Sequence, residues 1–151
     1  MPVNAYGNRY MLDNMDDTVK VRSIGNFAEL SGTWEVTRIT VEKNIDGKIE
    51  TAAYNTAAEV KSPVPCAQEW KISAQNIVLR FPNGIMDTVE NRFDSGMLSV
   101  LAYDGTQRTY LCSMEDGKLV LIATHNYVNI LSGGQAEKVV EKWIITLNLI
   151  K

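Results

Sequence analysis

The stretch that decides the fold is residues 84–117, which read GIMDTVENRFDSGMLSVLAYDGTQRTYLCSMEDG. Turn-forming sequences recur in it at Asp94-Ser95-Gly96, Asp104-Gly105 and Asp116-Gly117, at intervals of about 9–12 residues. Such sequences supply the positive-φ residues of tight hairpins, and this spacing is typical of short antiparallel strands joined in a meander. A crossover helix takes about a dozen residues between strands, so the spacing excludes a parallel α/β fold.

The same pattern continues on both sides of this stretch. Further turns are predicted at Asp46-Gly47, Asn83-Gly84 and Ser132-Gly133-Gly134. Apolar and polar residues alternate with the period of a strand in segments near 34–42, 67–73, 76–81, 85–93, 97–103, 107–114, 118–128 and 139–149. The sequence therefore predicts an all-β fold, an antiparallel up-and-down meander of about eight or nine strands. Closure into a barrel would remove the sheet edges, and a sandwich is the competing architecture.

Three segments do not follow the strand pattern. Residues 1–25 have no sustained period and are interpreted as an N-terminal arm, which leaves 26–151 as the barrel domain. Asn26 to Leu30 is predicted to form one helical turn, with Asn26 as its N-cap and Glu29 reaching back to the cap. Residues 50–65 are interpreted as a long connection that contains a ragged strand or a short helix capped by Thr56 and Glu59.

The composition limits the classes of partner. The chain of 151 residues has a net charge of −3 and a pI of about 5.2. This length suits one domain with a sizeable core, and the negative charge counts against nucleic acid or an anionic membrane as partner. No segment approaches the ~18 consecutive apolar residues of a membrane-spanning helix. Residues 1–17 also lack the apolar stretch of a secretory signal.

The residues that could carry chemistry are few. His125 is the only histidine, and its position in a strand beside Ala123 and Tyr127 favours a structural role over that of a general base or haem ligand. Zinc-binding spacings and phosphate-binding loops are absent from the sequence. Asp87 and Glu90 lie on opposite faces of one predicted strand, which argues against an acid–base pair. We therefore expect no catalytic residue, no metal, no cofactor and no enzymatic activity.

The two cysteines, Cys66 and Cys112, permit two interpretations. Both precede or lie within predicted strands, so a single disulfide is one interpretation. The other is a pair of buried thiols that pack as small hydrophobic side chains. Two cysteines are too few to identify the redox compartment.

Residues 30–36, LSGTWEV, place a helical turn directly before Gly-x-Trp at the start of the first long strand. This arrangement resembles the opening of lipocalins and other calycins. With Cys66, Trp70 and the Phe81-Pro82-Asn83-Gly84 turn behind it, the order resembles the lipocalin-like domains of Bacteroidota envelope proteins. The resemblance implies that Gly32 and Trp34 are structural residues and that Trp34 closes the bottom of the barrel. The chain departs from classical lipocalins in having no Arg beyond Arg108 and no helix after the barrel.

The leading functional hypothesis is that the barrel binds a small hydrophobic molecule in its interior. A barrel of eight strands is just wide enough to be filled by side chains or to hold one small ligand. Strand alternation assigns Met97 and Leu101 to one face of the segment 97–103, and both are predicted to point inward. The predicted ligand-binding residues are aromatic or adaptable apolar side chains: Tyr54, Trp70, Phe81, Met97, Leu101, Tyr110, Met114, Tyr127 and Trp143.

The alternative hypothesis is a protein–protein interaction module that uses the barrel as a scaffold. It predicts a protein partner bound through the N-terminal arm or the 50–65 connection, where an apolar patch would be exposed. The resemblance favours a periplasmic, envelope or secreted location if a leader precedes this chain, and a cytoplasmic one otherwise.

Overall fold

The computed structural model describes residues 21–60, 66–101 and 107–150. These residues form two short 3-10 helices, Phe27–Leu30 (η1) and Ala57–Glu59 (η2), and ten strands. The strands are β1 (Val21–Ser23), β2 (Gly32–Ile45), β3 (Lys48–Tyr54), β4 (Glu69–Ile72), β5 (Ile77–Arg80), β6 (Met86–Asp94), β7 (Met97–Leu101), β8 (Gln107–Glu115), β9 (Lys118–Ile130) and β10 (Ala136–Leu149).

Eight of these strands close into a barrel. Neighbours in the ring follow the order β2, β4, β5, β6, β7, β8, β9 and β10, and β10 pairs back to β2. Every pairing is antiparallel. Two strands lie outside the ring, because β1 pairs with β8 and β3 pairs with the upper half of β2. The predicted up-and-down barrel is thus confirmed, and its closure excludes the sandwich.

The hairpin turns are formed by the residues that the sequence indicates. In Asp46-Gly47, Ser95-Gly96 and Asp116-Gly117 both residues have positive φ, between 50° and 91°. Two successive residues with positive φ are the mark of a type I′ turn, whose twist matches that of the flanking strands. These turns join β2 to β3, β6 to β7 and β8 to β9. The predicted turn at Asp104-Gly105 lies outside the described residues.

The lower end of the barrel, where β2 begins, is closed by η1. Leu30 is completely buried there, and Trp34 is 2% exposed and donates its indole N–H to the Leu30 carbonyl oxygen at 2.8 Å. Gly32 has a φ of 140°, which L residues rarely adopt. The Asn26 side chain makes no capping hydrogen bond, contrary to prediction. The Glu29 carboxylate instead accepts hydrogen bonds from the Gly25 amide, at 3.1 Å, and from Arg22, which fixes the turn.

The barrel is taller on one side than on the other. Strands β2, β9 and β10 have 13 or 14 residues, whereas β4 and β5 have four each. The upper halves of the long strands, with β3, form a four-stranded sheet in the order β3-β2-β10-β9, which we call the ribbon. Its inner face continues the barrel interior, because Ile39 and Ile145, which are directly paired, belong to both.

The ribbon separates from the rest of the wall at β8. The pairing of β8 with β9 stops at Leu111 and Ile122. Among the described residues, 107–110 of β8 and 123–130 of β9 pair with β7 and β10 but not with one another. We call the resulting gap in hydrogen bonding the β8–β9 slit.

The 50–65 connection combines both structures that the sequence left open. Strand β3 continues to Tyr54, and η2 follows it. The Thr56 side chain does not cap η2, but the Glu59 carboxylate accepts a hydrogen bond from the Asn55 amide at 2.9 Å. Ala57 is 5% exposed and donates its amide to Gln68 Oε1 at 2.8 Å, so η2 packs onto the upper end of the barrel. Residues 61–65 lie outside the described residues.

Candidate functional site

The barrel interior is crossed by one aromatic contact. Strands β4 and β8 lie four positions apart in either direction around the ring of eight, so they face each other across it. Trp70 of β4 and Tyr110 of β8 meet edge to face, with ring centroids 5.4 Å apart and planes at 87°. Trp70 is 3% and Tyr110 7% exposed. The buried core continues below and above this pair, and because Tyr54 and Phe81 above it are only half-buried, we call the pair the floor of the upper interior.

A cation lies beside this floor. Arg108 is two residues from Tyr110 on the same face of β8 and is half-buried. Its guanidinium lies near enough to the Tyr110 phenol and the Cys66 thiol for its positive charge to act on both groups and to lower the pKa of each against the effect of burial. Burial raises the pKa of Tyr110 to about 12, and the positive charge of Arg108 opposes this rise. Arg108, Tyr110 and Cys66 thus form a polar group at the edge of an aromatic floor.

The indole N–H of Trp70 has no acceptor among the described residues, although its nitrogen is fully buried. A buried donor that forms no hydrogen bond costs about 1–3 kcal/mol, and such groups are rare in folded proteins. The neighbouring Trp34 has the same burial but donates to Leu30. The unpartnered donor therefore marks the Trp70 side of the interior as a position where an acceptor would be stabilised.

Four of the predicted ligand-binding residues lie above or around this floor. Tyr54 and Phe81 are half-buried and pack against the core at the upper end. Trp143 of β10 is 9% exposed, and Tyr127 of β9 is half-buried further up the ribbon. The inner face of the ribbon carries Tyr54, Trp143 and Tyr127. They pair directly with Ile39, Val41 and Val139, respectively, whose buried side chains face inward. With Trp70 and Tyr110, six of the nine predicted residues are at the floor or above it.

The other three predicted residues lie elsewhere. Met114 packs against the core near the lower end, where it pairs with Leu119. Met97 and Leu101 are 39% and 43% exposed and point outward, so their assignment to the interior is corrected. Leu98 and Val100 face inward instead, at 0% and 6% exposure, because Leu98 is paired with the inward-facing Tyr110.

A second polar group lies on the inner face of the ribbon. The Glu141 carboxylate accepts hydrogen bonds from Trp143 Nε1 at 2.5 Å and from the Tyr127 hydroxyl at 3.1 Å, and it forms an ion pair with Lys43 at 3.8 Å. Burial, followed by the negative charge of Glu141, raises the pKa of Tyr127. These donors satisfy Glu141, so we interpret the group as a structural anchor of the ribbon.

His125 and the two cysteines are the other residues of which the sequence analysis considered a chemical role. His125 is exposed on the inner face of the ribbon, with its ring centroid 5.4 Å from that of Tyr127. Cys66 and Cys112 are free thiols, and burial raises their pKa values to about 11 and about 12. In the described part of the chain, no three His, Cys, Asp or Glu side chains are grouped to hold a metal ion.

Arg108 is the residue of this site that sequence reasoning missed. The alternation of β8 places it on the same face as Tyr110, Cys112 and Met114, and a cation at an inward position is an available signal. The unpartnered state of the Trp70 indole has no sequence signal, because it depends on which strands face each other.

Comparisons of the chain with protein-family models, with curated proteins and with solved structures gave no match. Within the ranges that the structure describes, no helix has the length and apolar character needed to cross a membrane.

Proposed function

We propose that this protein binds one small, largely apolar molecule in the upper interior of its barrel, as lipocalin-like domains do, and carries out no reaction on it. The observation that carries the proposal is that side chains are more deeply buried at the lower end of the barrel than at the upper end. The lower end is sealed by η1 and completely buried apolar side chains, whereas Tyr54, Phe81 and Tyr127 at the upper end are only half-buried. Partly exposed aromatic side chains around a buried floor are typical of ligand sites.

The pairing of strands supports the same proposal. Above the floor, the β8–β9 slit allows the ribbon to move relative to β8 without the loss of a hydrogen bond between the two strands. An apolar molecule that enters there would contact the inner faces of β8 and the ribbon. The resemblance of residues 30–36 to the lipocalin opening points to the same kind of ligand.

The test is a titration with the neutral apolar fluorophore N-phenyl-1-naphthylamine, combined with native mass spectrometry of freshly purified protein. Ala123→Trp fills the inner face of the ribbon beside Trp143, its direct partner. Ala53→Trp is the matched control, because Ala53 is exposed on the opposite face of β3. We expect saturable 1:1 binding, weakened at least about 10-fold by Ala123→Trp and unchanged by Ala53→Trp. Absence of saturable binding, or equal binding by both variants, would contradict the proposal.

A second candidate function, protein recognition, is favoured by one observation. Exposed aliphatic side chains gather on the outer face of the ribbon: Ile49, Val128, Ile130 and Val140, at 64%, 53%, 72% and 42% exposure. Residues 50–60, in contrast, carry no exposed large hydrophobic side chain. Replacing Ile49 and Val140 by Ser should abolish capture of a stoichiometric protein from native extract if this face recognises a partner. Unchanged capture would show that this face does not recognise the captured protein.

A further inference from the structure

We infer that two copies of this chain associate through the edge of β3 that faces away from β2. In this dimer β3 pairs antiparallel with β3 of the second copy, about a two-fold axis at Ile49. The inference goes beyond the proposed function, because it concerns the edge of the ribbon and not the barrel interior. It rests on the backbone groups, the charges and the apolar side chain at this edge, which together select one register.

The backbone of β3 is paired on one side only. Among the described residues, β3 pairs with β2 and with no other strand. Ile45 and Lys48 flank the two-residue turn and form the hydrogen-bonded pair that closes it. Because hydrogen-bonded and non-hydrogen-bonded pairs alternate in an antiparallel ladder, Ile49, Thr51 and Ala53 direct their N–H and C=O groups away from β2. Pairing of Ile49 with Ile49 of a second copy would form two hydrogen bonds.

A row of alternating charges crosses the inner face of the ribbon and stops at this edge. Glu141 of β10 forms an ion pair with Lys43 of β2 at 3.8 Å, and Lys43 is directly paired with Glu50 of β3. The row therefore runs negative, positive, negative, and its next position lies beyond β3. Glu50 is exposed and belongs to none of the ion pairs of the described residues. A cation in the next position would continue the alternation, which is favourable between neighbouring strands.

The cation that fits this position is Lys48 of a second copy. Lys48 and Glu50 lie on the same face of β3, on either side of Ile49. Antiparallel pairing about Ile49 places each Lys48 directly opposite Glu50 of the other copy, so two ion pairs form together. These residues occupy non-hydrogen-bonded pairs of the new ladder, in which side chains approach most closely. Lys48 is also exposed and outside the ion pairs of the described chain.

The apolar residue at the centre of the edge supports the same register. Ile49 is 64% exposed on the outer face of the ribbon. In the dimer its side chain lies beside Ile49 of the second copy, and the burial of both is favourable. The outer row formed by Val140, Asn44 and Ile49 then continues in register across the axis. Because the same edge is used by both copies, the contact is closed and assembly ends at two chains.

Neighbouring registers lack this complementarity. A two-fold axis at Glu50 would place the two Glu50 carboxylates opposite each other, which is unfavourable. An axis at Thr51 would place Lys48 opposite Tyr54 and Glu50 opposite Ala52, so no ion pair would form between directly opposed residues. Of the three registers, only the first pairs opposite charges.

The experiment is sedimentation velocity of the full chain from micromolar to millimolar concentration, because a contact of one short strand belongs to the small, reversible interfaces. We expect a monomer–dimer equilibrium. Lys48→Glu and Glu50→Lys should each weaken the dimer at least about 10-fold, since each places like charges in both pairs. The double variant should restore the wild-type affinity to within about 3-fold. Lys71→Glu is the control for net charge, because Lys71 is exposed on β4.

Cysteine cross-linking tests the register. Ile49→Cys brings one thiol from each copy to the axis, where a Cα separation of about 5.5 Å suits a disulfide. Ala53→Cys is the matched control, because Ala53 is exposed on the same face of β3 but lies four residues from the axis, which separates the two thiols by about 26 Å. With oxidised glutathione as the oxidant, we expect Ile49→Cys to form the linked dimer at least about 10-fold faster. Far-UV circular dichroism verifies that each variant is folded.

The outcomes separate the edge, its register and the effect of net charge. A wild-type chain that sediments as a monomer at every concentration would overturn the inference. A dimer that neither charge reversal weakens, or that Lys71→Glu weakens equally, would show that the contact does not use the β3 edge. Equal cross-linking of the two cysteine variants would contradict the axis at Ile49. Binding of the fluorophore in the barrel is measured independently, so the proposed function stands or fails separately.

Discussion

Trp34 and Trp70 pair directly across β2 and β4, and both are almost completely buried, but only the Trp34 indole has an acceptor. The same substitution should therefore have different consequences at the two positions. Trp34→Phe removes a hydrogen bond and leaves the Leu30 carbonyl without it, whereas Trp70→Phe removes a donor that has no partner. We expect Trp34→Phe to lower the free energy of unfolding by about 1–3 kcal/mol more than Trp70→Phe does.

Urea denaturation of the two variants, followed by far-UV circular dichroism, measures this difference. Both substitutions remove similar volume from the core, so the cavity contribution largely cancels. Equal destabilisation would show that the Trp70 indole is as well satisfied as that of Trp34.

Three buried thiol and phenol groups predict that the stability of the fold is sensitive to alkaline pH. Burial raises the pKa of Cys66 to about 11 and the pKa values of Tyr110 and Cys112 to about 12, all above their ordinary values. The folded protein keeps these protons at pH values where the unfolded chain has lost them. The stabilisation is complete below about pH 9 and is lost as the pH rises towards 12.

Urea midpoints measured between pH 8 and pH 11.5 test this expectation. For Tyr110, two pKa units correspond to about 3 kcal/mol as an upper bound. The decline in the free energy of unfolding should be shallower in Tyr110→Phe than in the wild type. Parallel declines in the two proteins would contradict the expected contribution of the phenol.

At the scale of elements, the β8–β9 slit predicts that the amides of β9 differ in their protection from hydrogen exchange. The lower half of β9 is hydrogen-bonded on both sides, to β8 and β10, whereas residues 123–130 pair only with β10. Amide hydrogen exchange followed by NMR should show slow exchange throughout 119–122. Above Ile122, alternate amides should exchange at least about 100-fold faster, because they open by local rather than global unfolding. Uniform protection along β9 would mean that the slit is closed in solution.

Sequence reasoning succeeded for elements whose determinants are local. The turns at Asp46-Gly47 and Asp116-Gly117 follow from residues that tolerate positive φ, and so their strands were predicted. Strand β7 was assigned the wrong face because Met97, Leu98, Val100 and Leu101 are all apolar, so alternation carries little information there. Its orientation is decided by pairing with β8, which sequence alone does not give.

Two further features of the elements depend on distant partners. The residue Thr37 is an extra one in β2, since Val36 pairs with Leu147 and Arg38 with Thr146. This bulge changes which alternate residues face inward, from Trp34 and Val36 to Ile39 and Val41. The aromatic residues of the candidate site were predicted from the sequence. Its polar residues could not be predicted without knowing which strands face each other.

At the scale of the whole molecule, barrel closure joins the two ends of the described chain. The final strand β10 pairs with β2 along almost its full length, so the ring is completed only when residues 136–149 return to 32–45. Ile145 is 4% exposed and directly opposite the fully buried Ile39. Ile145→Ala should lower the free energy of unfolding by about 2–5 kcal/mol.

The same variant tests whether barrel and ribbon form one cooperative unit. Tryptophan fluorescence reports on Trp34 and Trp70 in the barrel and on Trp143 in the ribbon, and far-UV circular dichroism reports on all strands. We expect both signals to give one coincident urea transition in the wild type and in Ile145→Ala. Two separated transitions in either protein would mean that the ribbon unfolds independently of the ring.

Strand β3 has a consequence for how the protein behaves at high concentration. It is the outermost strand on one side of the ribbon, and its backbone groups on the side away from β2 have no strand partner among the described residues. Exposed strand margins of this kind can recruit the margin of another molecule and so seed aggregates. Lys48 and Glu50 are exposed on the same face of β3, so a parallel, in-register pairing of two such margins would place identical charges opposite one another, which is unfavourable. Two charged side chains far from the core therefore disfavour one route to aggregation.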